Sequence, residues 1–180
     1  MTAVFHRSSR STLPTAASGH DCYLMDANGK RYLDACGGAA VSCLGHPMAT
    51  AAANAVLSQI TEPDMMAQVR QRGDELQKSL RAKYNDHPYI GDIRGRGLFR
   101  GLEFVANRGT KSPFVPARAI NKKIKAAAMA EGLMCYPIGG TVDWKQGDHV
   151  LLAPPFIIEE AQLDEQTYKL SIAIETALAQ

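Results

Sequence analysis

No apolar run in the 180-residue sequence approaches the roughly 20 residues that a bilayer-spanning helix needs. Arg7 and Arg10 are not followed by the apolar stretch of a secretory signal either. These two absences lead us to expect a cytoplasmic protein with no membrane partner. An excess of one charge is also missing. Twenty basic residues against 18 acidic ones leave a net charge of +2, and the basic residues are spread along the chain, so no nucleic-acid partner is expected from electrostatics alone. The four cysteines, Cys22, Cys36, Cys43 and Cys135, form no CxxC pair and have no histidine at ligand spacing. That pattern argues for free thiols in a reducing compartment rather than for zinc or disulfides, and no metal is expected. No internal repeat or low-complexity linker interrupts residues 20–180.

What is present is the composition of an ordinary globular chain, 46% hydrophobic and 21% charged. Residues 1–18 are polar, rich in Ser and Thr around Pro14, and read as an extended N-terminal arm. Two short apolar runs then flank Ala27-Asn28-Gly29, a strong turn signal that predicts a β-hairpin. Residues 39–44 suit a further short strand, and Pro47 opens an alanine-rich helical stretch. Thr61-Glu62-Pro63-Asp64 resembles a capping box, followed by Met65, Val69, Leu76, Leu80 and Tyr84 at helical spacing. The run YIGDIRGRGLFRGLEFV reads as a bent strand or strand pair, with glycines that permit bulges and close backbone approach. A third helix should begin at Pro116-Ala117, bury Ile120, Ile124, Ala127 and Ala128, and stop near Gly132. LMCYPI and the segment from Asp148 to the double proline read as strands, and Leu163, Leu170, Ile174 and Leu178 mark a last amphipathic helix. The order predicts an α+β fold with an antiparallel or mixed sheet.

Few of these residues combine into chemistry. Gly95, Gly97 and Gly101 miss the dinucleotide-binding spacing, and strand residues rather than a helix follow them, so a bent strand is the better reading. Arg94, Arg96 and Arg100 could make an anion or RNA patch, but they lack interleaved aromatics beyond Phe99 and Phe104 and read as a solvated strand face. His20, His46, His87 and His149 are scattered singly and read as turn or packing residues. Glu159-Glu160 and Asp164-Glu165 fall where acidic side chains favour the positive end of a helix dipole.

Four longer words carry a resemblance: GKRYLDACGGAAVSCLGH, then RGRGLFRGLEFV, EGLMCYPIGG and GDHVLLAPPFIIEEAQLDE. The first resembles the N-terminal segment of class III (fold type I) pyridoxal-phosphate aminotransferases, especially the ω-amino acid:pyruvate group. The other three resemble the C-terminal small domain of the same family, in the same order. The resemblance implies a small-domain fold whose helices pack on one face of the sheet. In that family a Gly-His-Pro-like word occurs before and after the large domain, and here Gly45-His46-Pro47 serves both places. The expected organisation is therefore an arm at 1–18 and one α+β domain at 19–180, built from 19–46 joined to 47–180, with the large cofactor-binding domain missing.

The family's aldimine lysine, its acidic partner for the pyridinium nitrogen and its phosphate donors come from that large domain. None of the nine lysines here ends an apolar strand. The resemblance thus implies no catalytic and no cofactor-binding residue in this chain, although the parent family uses pyridoxal 5'-phosphate. It implies substrate-cleft lining at Gly37, Gly38 and Ala39. Many relatives carry an arginine shortly before the Gly-Asp word to hold a substrate carboxylate, whereas Trp144-Lys145-Gln146 stands there here. The expectation is an aminotransferase-derived small domain that is inactive alone and that forms homo-oligomers through surface the large domain would cover. The alternatives are a subunit or part of an active ω-amino acid:pyruvate transaminase, and an anion- or RNA-binding module.

Overall fold

The computed structural model describes residues 16–35, 55–58 and 60–179. The strand expected at 39–44, most of the alanine-rich stretch after Pro47, and Gly37, Gly38 and Ala39 lie outside the described residues. Residues 55–58 and Ile60 are helical.

The chain opens on strands β1 (Ala16–His20), β2 (Tyr23–Asp26) and β3 (Arg31–Asp34), an antiparallel meander. The expected hairpin is therefore present, and β1 reaches back into the segment read as an arm. Gly29 takes φ +82° in the turn, which glycine adopts without the Cβ penalty. Asp26 locks the same turn, its Oδ1 accepting the backbone N–H groups of Asn28 and Lys30 at 2.9 Å each. Helix α1 (Met65–Tyr84) follows and buries Val69, Gly73, Leu76, Leu80 and Tyr84. The capping box does not form. The Thr61 hydroxyl donates backwards to the carbonyls of Leu57 and Ser58, and Asp64 at the N-cap makes no side-chain cap bond.

Strands β4 (Ile90–Arg96) and β5 (Phe99–Phe104) form the second hairpin across the two-residue turn Gly97-Leu98. Gly97 at φ +55° supplies the positive φ that a tight hairpin turn demands. Pro116 opens a 3-10 turn (Pro116–Arg118), not the helix itself. Ala119 in the left-handed region separates that turn from α2 (Ile120–Ala130), which buries Ile120, Ile124 and Ala128. Gly132, at φ +70°, ends the helix as expected.

LMCYPI is not one strand. It splits at Cys135 into β6 (Leu133–Met134) and β7 (Tyr136–Val142), which belong to different sheets. Strand β8 (Gln146–Leu152) ends before the double proline, and α3 (Glu160–Ala179) completes the fold. One sheet is mixed, in the order β1-β2-β3-β6 with β3 and β6 parallel. The other is antiparallel, in the order β4-β5-β8-β7. Helix α2 lies across β7 and β8, α1 runs against β4, and α3 packs on both helices.

The two sheets meet at Ala35. Its N–H donates to the Met134 carbonyl at 2.8 Å, and its own carbonyl accepts the Ala153 N–H at 2.7 Å. Cys22, Leu33 and Ala35 consequently share one hydrophobic cluster with Leu76, Leu102, Ile124, Leu152 and Ile174. Each fully buried Leu or Ile in that cluster contributes about 2 kcal/mol of transfer free energy, so the N-terminal hairpin is held by the same core as the helices. No helix among the described residues is long and apolar enough to cross a membrane.

Candidate functional site

The described residue nearest in sequence to the expected cleft-lining trio is Ala35, bonded into both sheets as above. Asp34 donates its N–H to the Cys22 carbonyl at 2.7 Å, so the end of β3 is anchored on every side before the chain enters 36–54. A second tie crosses from the hairpin to α3. The Tyr23 hydroxyl donates to Glu165, and Lys169 lies 2.7 Å from the same carboxylate. Burial, then the bond to Glu165, pushes the Tyr23 phenol up to about 12. Glu165 thus anchors the hairpin, a role that its position near the helix start did not reveal. Cys22 and Cys135 are not joined in a disulfide, and burial pushes Cys22 up to about 11, away from nucleophilic use.

The three arginines of the expected anion patch are separated. Arg94 pairs with Asp92 at 2.9 Å and Glu103 at 2.6 Å. Arg100 is 5% exposed and donates to the carbonyls of Gly95 at 2.8 Å and Gly73 at 3.0 Å. The reading of Arg100 as part of a solvated face is therefore corrected. In the β4-β5 register Arg94 sits opposite Gly101 while Arg100 sits opposite Gly95, so the pleat sends the two arginines to opposite faces. Arg100 clamps β4 onto α1 where Gly73 and Gly97 nearly touch.

The Gly-Asp word also has a structural task. Gly147 takes φ +85°, and a Cβ there would meet the Thr141 hydroxyl at 2.5 Å. Asp148 is 7% exposed, and its Oδ1 accepts the N–H of Asn121 at 3.0 Å. It therefore caps α2 from β8, because Ala119 has no side chain able to do so. Ahead of that word, Asp143 and Trp144 both take left-handed φ values, 55° and 63°. The Trp144 side chain is 95% exposed, and no arginine stands in the β7-β8 hairpin. Among the histidines, His87 lies 3.1 Å from Glu175 and His20 lies 3.1 Å from Asp21. Burial, then the charge of Arg94, lowers the His149 pKa, and its Nδ1 has no partner among the described residues. His46 and the expected cleft lining lie outside the described residues.

All nine lysines are described. Lys30, Lys78, Lys83, Lys111, Lys122, Lys125 and Lys145 are exposed, and Lys123 and Lys169 are half-buried. Lys30 donates to the carbonyls of Met129 and Ala130 at the end of α2, and Lys169 is held by Glu165. A pyridoxal-phosphate site needs a desolvated lysine against the ring and a carboxylate free to face the pyridine nitrogen. The two buried carboxylates are Asp26 and Asp148. Asp26 accepts from the hairpin backbone and the Tyr32 hydroxyl, and Asp148 Oδ1 is engaged as the cap of α2. The described residues do not fit the cofactor.

Two four-stranded sheets sharing a core with three helices, joined at Ala35, define the small-domain architecture of a transaminase. The class-III aminotransferase family model matches residues 44–174, and the chain belongs to that family. An uncharacterized aminotransferase of Schizosaccharomyces pombe is 39% identical over 134 residues, which are 74% of this chain and 29% of that protein. The solved structure of an omega-aminotransferase from Paracoccus denitrificans is 31% identical with a TM-score of 0.65, covering 75% of this chain and 28% of that one. A pyridoxal-phosphate-bound aminotransferase mutant from Vibrio fluvialis is 30% identical at the same TM-score, over 75% of this chain and 28% of that one. The chain thus spans under a third of the length of these relatives.

Proposed function

We infer that this chain is the small-domain part of a class III aminotransferase and that, by itself, it forms no internal aldimine and transfers no amino group. The observation that carries this reading is the placement of the lysines, all exposed or half-buried. A Schiff-base lysine has to be desolvated against the cofactor ring, and no lysine here is buried. The structural use of Asp26 in the hairpin turn and of Asp148 as the cap of α2 supports the same conclusion.

In this reading the chain supplies a scaffold. The Ala35 junction and the Tyr23-Glu165 tie hold the N-terminal hairpin against the small domain, and the segment with Gly37, Gly38 and Ala39 leaves that junction to line one side of a substrate cleft. The short share of each relative that the chain spans favours one further possibility. A polypeptide carrying the rest of the fold would complete an amine-to-keto-acid transaminase.

The test is borohydride trapping with pyridoxal phosphate after extensive dialysis, with peptide mapping and an amine-to-pyruvate assay. Scattered substoichiometric labelling at Lys30, Lys122 or Lys145 without turnover is the expected result. Stoichiometric labelling of one lysine with turnover by the chain alone would refute the reading.

A further inference from the structure

Arg81, in the last turn of α1, and Arg108, in the loop after β5, line a common cavity of about 170 Å³ between the end of α1 and the start of β4. Tyr84, Asn85, Gly91 and Asp92 contribute to its walls. Arg72, Arg94, Arg100 and Arg118 each donate to a carboxylate or a carbonyl. The guanidiniums of Arg81 and Arg108 make no hydrogen bond or ion pair among the described residues.

The rest of the lining suits a small anion. Asp92 is the one carboxylate in it, and Arg94, which Glu103 shares, offsets part of that charge from 2.9 Å. Lys111 adds positive potential nearby. The β4-β5 register shifts between Ile90 and Asp92, which makes Gly91 the inserted residue of a β-bulge at the cavity wall. A Cβ there would lie 2.7 Å from Val105 Cγ1, so a side chain at that point would disturb the wall. Tyr84 is 2% exposed and its hydroxyl has no hydrogen-bond partner among the described residues. Burial, then the charge of Glu175, pushes its phenol well above the ordinary range, and the hydroxyl is closed off from solvent, so the guanidiniums and not Tyr84 are the groups that would meet an anion. The carbonyl end of α1 lines the cavity and opposes an anion with a partial charge, which a full guanidinium charge able to form two charge-assisted bonds to one oxyanion exceeds. At about 170 Å³ the cavity has room for one phosphate or carboxylate group.

We propose that this cavity binds a small oxyanion, with Arg81 and Arg108 as a two-sided guanidinium clamp. Nothing in it depends on the aminotransferase reading. The test titrates the full 180-residue chain with sodium phosphate, and separately with sodium acetate, against sodium chloride of matched ionic strength. Amide chemical shifts and thermal melts are the readouts. The expected result is a saturable shift confined to Arg81, Tyr84, Asn85, Gly91 and Asp92. R81Q and R108Q should each weaken affinity by about tenfold or more, as loss of one charge-assisted partner implies. R96Q, at an arginine outside the lining, should leave it unchanged. Saturation by phosphate alone identifies a phosphoryl ligand, and saturation by acetate identifies a carboxylate. No saturable shift with either anion, or an equal loss in R96Q, overturns the proposal.

Discussion

Gly73 separates local from tertiary reasoning because the two give opposite signs. Glycine inside a helix is about 0.8–1 kcal/mol worse than alanine, so a sequence view of α1 makes Gly73→Ala stabilising. In the fold, a Cβ at Gly73 would lie 2.5 Å from the Gly97 carbonyl carbon and 2.6 Å from its Cα. Both are backbone atoms of the β4-β5 turn and cannot swing aside as a side-chain tip would. Relieving the contact moves that turn away from α1, at an overpacking cost of about 1–3 kcal/mol. It also stretches the Arg100 bonds to Gly73 and Gly95, now 3.0 and 2.8 Å. Weakening one charged hydrogen bond costs about 1.5–3 kcal/mol.

After subtraction of the propensity gain, Gly73→Ala should destabilise the chain by about 1.5–5 kcal/mol. Urea denaturation followed by far-UV circular dichroism measures this as a lower midpoint with an unchanged slope. Because Arg100 shares the site, the double variant with Arg100→Met should lose less than the sum of the single losses. Unchanged or raised stability in Gly73→Ala, or strict additivity in the cycle, would refute the claim that helix and turn are in backbone contact.

Asp148→Ala should cost about 1 kcal/mol through the lost cap of α2, and hydrogen exchange should show the Asn121 amide deprotected before the rest of the helix. The backbone N–H of Lys30, followed by that of Asn28 and the Tyr32 hydroxyl, holds Asp26 below its ordinary carboxylate range despite opposing burial. Its contribution is complete above the unfolded value of ~3.9 and is lost as pH falls through the lower folded value, so Asp26→Asn should flatten the acid limb of melting temperature against pH. His149 is a base with a lowered folded pKa; stability should decline as pH drops below the unfolded value of ~6.5, and His149→Gln should remove that slope. Val56, Leu57, Met66, Phe156 and Ile157 are 40–55% exposed, and we expect self-association through such apolar surface. Light scattering that reports a strict monomer at every concentration would contradict it.

Local chemistry determined the elements. A left-handed glycine at Gly29 made the first hairpin legible, helical spacing marked the buried faces of α1, α2 and α3, and the four family-like words indicated an aminotransferase, three of them its small domain. These signals act within a few residues, where φ restrictions and side-chain periodicity are properties of the chain itself. Partner choice across long separations is not such a property. The split of LMCYPI at Cys135 depends on β3 and β8 each claiming one half of it. Arg100 moved from the expected solvated face to a buried clamp because of its register against Gly95, and Asp148 became a helix cap only because β8 passes beside the start of α2. The cavity between Arg81 and Arg108 likewise joins residues from separate elements. A hydrogen bond or a charge pair depends on distance and desolvation, and only the tertiary structure decides which distant groups are brought close enough to have either.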